Sequence, residues 1–248
     1  MLALLEDVIR QGSINWEASP FISAASMGII QDILIPNLIW RAGRVEATIR
    51  KVALAACYGI LKAGATQLDT LRIVAPTLVP LLVSSLEDTH SDVTPRSMAC
   101  FCLTIIFDRL KGCFGEQSLR EVYHPLLKRL DDSDDSVRIA VCSTLIAFFN
   151  CAPPSEFRYF NLNFFYTSLN YNSSTVISYS SDQLFIHLDD SVADVQDAVF
   201  QVLVEGLAKI DAQTVLKKAE SNKISHRNPH LCDKVTLHVR KNVGLEVM

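Results

Sequence analysis

The chain has 248 residues, 49% of them apolar, with 23 Lys and Arg against 27 Asp and Glu for a formal net charge of −4. That length and apolar share allow a large buried core. So mild a charge excludes a chain that recruits nucleic acid or membrane by bulk electrostatics.

Taken in chain order, Met1 to Arg10 has the pattern of a helix end, with Leu4, Leu5, Val8 and Ile9 on one face and Gly12 as its stop. Residues 1–12 are therefore expected to close a preceding repeat, and the chain to be a fragment or shortened product of a longer protein. MLALLEDVIR places acids where a signal peptide needs a basic region, so cytoplasmic residence is expected. Residues 13–21 suit a loop.

From residue 22 a helical unit recurs. The clearest is PLLKRLDDSDDSVRIAVCSTLIAFF, residues 125–149: a first helix with Leu126, Leu127 and Leu130, an acidic turn, and a second helix. Counting from Val137, the apolar stripe of that second helix falls on Ala140, Val141, Leu145, Phe148 and Phe149, one face of an α-helix. The same offsets from Ile49 give Val52, Ala53, Ala56, Cys57, Ile60 and Leu61. From Pro95 they give Met98, Ala99, Cys102, Leu103, Ile106 and Phe107, and from Val195 they give Ala198, Val199, Val202, Leu203, Gly206 and Leu207. The starts at 49, 95, 137 and 195 are 46, 42 and 58 residues apart, and the first two spacings lie in the range of about 40 to 47 of HEAT and armadillo arrays. A helix pair cannot bury its own stripe, so an all-α solenoid of about four HEAT repeats is predicted.

The expected units are 22–64, 67–111, 117–150 and 181–210. Pro36, Pro80 and Pro125 recur inside the first helices, where each removes a hydrogen bond and bends the helix over its partner. Residues 151–180, CAPPSEFRYFNLNFFYTSLNYNSSTVISYS, lack periodicity and are expected to be an irregular, aromatic-rich insertion without a packed role. The Asn172–Ser173–Ser174 sequon carries no meaning in a cytoplasmic chain. Residues 212–248 suit capping helices, at 212–226 and 230–241. From Lys217 to Lys241, seven Lys or Arg face only Glu220 and Asp233, a net of +5 that leaves −9 elsewhere. No set of aromatics is interleaved with this basic segment, so a solvated cap is expected and base stacking is not.

The residue types able to carry chemistry have a plainer account. Cys57, Cys100, Cys102, Cys113, Cys142, Cys151 and Cys232 form no CxxC pair and lie mostly on or beside the stripes, as reduced core thiols do. His187 with Asp189 and Asp190 resembles an acid/base cluster, yet the matching Asp131 and Asp132 have no histidine; the acids are expected to cap the second helices instead. His226, His230, Cys232 and His238 match no zinc spacing. No phosphate-binding, zinc-protease or hydrolase motif occurs. No catalysis, cofactor, metal or small-molecule substrate is expected.

One periodic feature stands apart. Arg50, Arg96 and Arg138 each follow the first stripe residue of a second helix, where the fourth unit has Gln196. Two uses are open. The row can pair with the turn aspartates Asp88, Asp132 and Asp190 of neighbouring units as a ladder of exposed ion pairs, each worth little, or it can face an acidic partner. Gln196 at one end, and the absence of an aspartate from the RAGRVEA turn at the other, interrupt the row.

The pattern PxLLxxLDDxxxxVRxAxxxxL in residues 125–145 is similar to the HEAT-repeat consensus. More narrowly, LIPNLIWRAGR, YHPLLKRLDDSDDSVRIAVCSTL and LFIHLDDSVADVQDAVFQVLVEG resemble the C-terminal repeats of the HEAT-repeat dynein axonemal assembly factor 5 family, over most of residues 30–210. The resemblance implies a right-handed α-solenoid with a protein-binding concave face. It further implies a cytoplasmic role in preassembling axonemal dynein arms, with axonemal dynein chains and chaperones or co-assembly factors as partners and no membrane or nucleic acid. The aromatic stretch 157–177 departs from that family. A scaffold of transport or phosphatase type is the alternative that the repeats alone allow.

Overall fold

The computed structural model describes residues 25–88, 93–158 and 176–243; the expected helix end at 1–12, the loop at 13–21, the sequon and the middle of the aromatic stretch lie outside them. Every described element is helical. α1 is a π-type stretch, Ile29–Leu34, continued by Ile35–Leu38. α2 is Arg44–Lys62, α3 Leu68–Leu86, α4 Thr94–Arg109, and α5 Glu116–Lys128, which closes in a 3-10 turn at Arg129–Asp131. α6 is Asp135–Asn150, α7 Pro154–Arg158 and α8 Val176–His187. α9 is Ala193–Gln201 and runs on as a π-type stretch, Val202–Leu207. Then follow α10, Ala208–Asn222, and α11, Pro229–Val243.

The helices stack as an α-solenoid. α2, α4, α6 and α9 pack in succession, α1, α3 and α5 pack beside them, and α10 packs on α8 and α11. The periodic stripes explain this order. Ala53, Cys57, Ile60, Leu103, Phe107, Val141, Leu145, Phe148, Val199 and Leu203 all belong to one buried cluster that runs from Ile30 to Val239. Ala140 belongs to it, and Met98 and Ala198 lie against it half-buried. Val52 is half-buried as well, so three of these four positions lie at the border of the buried face. α3 has the length and mean hydropathy to cross a bilayer, but Leu71, Val74, Leu78, Leu82 and Leu86 are spent on packing between neighbours.

Several local features add to the sequence reading. α1 ends at Leu38, where Ile39 turns extended. α3 holds two internal prolines, Pro76 as well as Pro80. A break at Asp211 (φ −150°, ψ 87°) ends the run from α9, and the Asp211 carboxylate receives the Thr214 N–H (3.1 Å) and hydroxyl (2.8 Å) to start the next segment.

The stretch 151–180 is not simply an unpacked insertion. Phe157 is buried, with its ring centre 5.5 Å from Phe148 and 5.8 Å from Phe149. Tyr123 shares a hydrogen bond of 2.8 Å with Ser180 and donates to the Val176 carbonyl at 3.3 Å. Aromatic rings at 148, 149 and 157 give the ends of this stretch an apolar seat that composition alone does not reveal.

Candidate functional site

The arginines and turn aspartates singled out in the sequence meet. Arg50 donates to Asp88 Oδ2 through Nη2 at 2.6 Å and Nε at 3.1 Å. Arg96 grips Asp132 with both carboxylate oxygens engaged, Nε to Oδ2 at 2.8 Å and Nη2 to Oδ1 at 3.0 Å. Arg138 stands 3.3 Å from Asp190 through Nε. Each arginine thus reaches forward to the turn of the next unit.

Each also reaches back. Arg50 Nη1 donates to the Arg41 carbonyl (2.7 Å), Arg96 Nη1 to the Asp88 carbonyl (3.1 Å), Arg138 Nη1 to the Asp132 carbonyl (2.9 Å), and Gln196 Nε2 to the Asp190 carbonyl (2.6 Å). The same turn residue therefore offers its main-chain oxygen to its own unit and its carboxylate to the unit before. Gln196 keeps the backward bond, which needs only an N–H donor, and drops the forward one. Arg41 holds the aspartate's place in the first turn with an opposite charge.

Two expectations need correction. The rungs are not exposed: Arg50, Asp88, Arg96 and Asp132 are all buried, and Arg138 with Asp190 nearly so. In such surroundings an ion pair is weakly screened and its disruption is costly. Nor do these aspartates cap the second helices. Asp134 caps α6 by accepting from Ser136 N–H at 2.9 Å, whereas Asp132 and Asp190 accept from Asp134 N–H (3.2 Å) and Val192 N–H (2.9 Å) within their own turns. Sequence reasoning missed Arg129, buried and 3.2 Å from Asp132 Oδ2; it lies one residue before Leu130, and no periodicity flags it.

Beyond the ladder, Thr144 hydrogen-bonds Thr104 (3.0 Å) and donates to the Cys100 or Ala140 carbonyl. Asn150 donates to the Ile146 and Glu205 carbonyls. These polar contacts between second helices fix how one unit sits on the next. On the exposed side of the same helices, Tyr58 packs against Phe101 (5.5 Å) and carries Lys62 over its ring (5.3 Å).

His187 lies 3.6 Å from Asp131, and burial holds its pKa below the ordinary value against the pull of Asp131 and Asp190, with Arg138 lowering it further. His226 stands 2.8 Å from Asp189, which also receives the Arg227 N–H. Among the described residues no group of three or more His, Cys, Asp and Glu is disposed to hold a metal. Burial pushes the Cys100, Cys142 and Cys151 thiols up to about 12, which suits core thiols and not nucleophiles.

No family model matches the chain. It is 28% identical over 241 residues to dynein axonemal assembly factor 5 of Xenopus laevis, covering 97% of this chain and 26% of that protein. It is 30% identical over 212 residues to the Homo sapiens protein of the same name, covering 86% of this chain and 23% of the relative. The chain therefore spans about a quarter of the length of the curated relatives it matches. Among solved structures, it is similar to an engineered protein (TM-score 0.62, 14% identity, 97% of this chain and 90% of that one). It is also similar to a designed armadillo repeat protein in complex with the peptide (KR)4 (TM-score 0.58, 14% identity, 95% and 91%). The chain is thus an α-solenoid of armadillo and HEAT type, similar in sequence through nearly all of its length to part of dynein axonemal assembly factor 5.

Proposed function

We propose that the chain is a non-catalytic HEAT-repeat scaffold in the cytoplasmic preassembly of axonemal dynein arms, holding dynein chains and chaperone or co-assembly partners. The observation that carries this reading is the similarity to dynein axonemal assembly factor 5 over 97% of the chain. On this reading residues 22–64, 67–111, 117–150 and 181–210 are four repeats, followed by a cap from 212. The buried ladder of Arg50, Arg96 and Arg138 with Asp88, Asp132 and Asp190 then sets the geometry between repeats, and partners are met by exposed side chains such as Lys62 and Phe101. Small shared rotations between stacked units suit a scaffold that holds large clients.

Affinity capture of the tagged chain from ciliating cells, followed by mass spectrometry, tests the reading. Enrichment of axonemal dynein chains or chaperones over a tag control is the expected result, and recovery of neither removes it. The peptide-bound designed armadillo proteins on the same fold favour a second reading, a general peptide-binding scaffold of another pathway, which the same experiment would expose through a different partner set.

A further inference from the structure

We propose that the first turn, Ile39 to Val45, is a docking surface for an acidic peptide segment that also carries a bulky apolar side chain. The surface is apolar where the other turns are polar. Ile39, Trp40 and Val45 are 46%, 49% and 70% exposed, so three large hydrophobic side chains crowd into seven residues of one turn. Such exposure within a short, charged segment marks an interaction site more often than scattered exposed residues do.

The surface is also held in shape. The Arg50 guanidinium lies 5.9 Å from the centre of the Trp40 ring, and is itself fixed by Asp88 and by the Arg41 carbonyl. Gly43 makes the bend with φ +120°, a conformation other side chains resist. A Trp and arginines presented on an ordered turn cost little entropy to engage, and these are the residue types that dominate interface energies.

Charge selects the partner. In the next three ladder turns this position is Asp88, Asp132 and Asp190, each facing a cation of the preceding unit. In the first turn it is Arg41, followed by Arg44; both are exposed, and neither makes an ion pair among the described residues. No acid lies between Arg41 and Val45. The other turns expose Asp131, Asp135 and Asp194, so an anionic segment is attracted to the first turn and repelled along the rest of that edge.

The test is selection of phage-displayed random dodecapeptides on the purified 248-residue chain, repeated on the Arg41→Glu/Arg44→Glu chain after circular dichroism shows unchanged helicity. Peptides rich in Asp and Glu beside Leu, Ile, Phe or Trp are expected on the first and lost from the second. A synthetic copy should bind the double variant at least about tenfold more weakly, and Trp40→Ala should weaken it with both arginines in place. Neutral or basic selected peptides, or acidic ones that bind the double variant equally well, would overturn the proposal. So would a dimer in sedimentation that the double reversal dissolves, because the occupant would then be a second copy of the chain.

Discussion

Arg96 and Asp132, 36 residues apart in sequence, share two hydrogen bonds of 2.8 and 3.0 Å in the buried seam between consecutive helix pairs. Asp132 also receives Arg129 Nη1 and the Asp134 N–H. Its carboxylate therefore neutralises two buried guanidinium groups and ties its own turn. Replacing it with alanine strands both cations, and removal of one partner of a buried pair costs about 3–5 kcal/mol. The expected outcome for Asp132→Ala is a loss of that size in urea-induced unfolding followed by circular dichroism. Asp132→Asn keeps only one of the two acceptor oxygens and turns an amide NH2 toward the remaining donors, so it should not restore the lost stability.

The third rung should be weaker than the second. Arg138 approaches Asp190 only to 3.3 Å, and their side chains keep 14% and 12% exposure. Arg138 is also drawn to the exposed Asp135 at 2.7 Å, so water and a competitor share its charge. Double-mutant cycles isolate the pairwise energies. The coupling between Arg96 and Asp132 should exceed that between Arg138 and Asp190.

Much of this was legible in the sequence because period and charge recur together. The offsets from residues 49, 95, 137 and 195 located the stripes, and the arginine after each of the first three starts located the ladder. What the sequence could not show was depth. An arginine beside a stripe looks the same whether its head reaches water or the next turn, and only the folded structure shows that Arg96 and Asp132 are both buried. Phe157 was hidden for a related reason: one aromatic among many in an aperiodic stretch carries no signal until the rings of Phe148 and Phe149 are placed beside it.

Thiol labelling gives a direct check on burial. Cys113 is exposed, whereas the other six cysteines are buried, and desolvation raises Cys100, Cys142 and Cys151 to about 12. Thiolate is the reacting species. In the native chain at pH 8 one equivalent of thiol should react rapidly with a chromogenic disulfide, and that phase should vanish in Cys113→Ser. All seven should react in denaturant.

Acidification should destabilise the chain through its half-buried histidines, His124 and His187. Desolvation lowers the pKa of His124, and lowers that of His187 despite the attraction of Asp131 and Asp190. The unfolded chain, with histidines near the ordinary value of 6.5, then binds more protons than the folded one as pH falls below that value. Stability is full above this window and is lost as pH drops through it. Melting temperatures measured from pH 7.5 to 5 should decline, and His124→Gln/His187→Gln should flatten that decline. A slope unchanged by the double substitution would remove the histidines from the account.

Gly206, in the π-type run after α9, packs tightly against α6. A Cβ there would meet Phe149 Cδ2 at 3.3 Å and Ile146 Cα at 3.6 Å, while Asn150 ties the Ile146 and Glu205 carbonyls on either side of the contact. Gly206→Ala gains up to about 1 kcal/mol of helix propensity and loses part of it to the tight contact with Phe149, so its stability should stay close to that of the parent. Gly206→Val adds two methyl groups against a ring and a backbone held by that asparagine; overpacking of this kind costs about 1–3 kcal/mol. Thermal melts of the two variants should separate by that amount, with valine the less stable. If both melt with the parent, the seam between these helices yields more readily than its side-chain bridge implies.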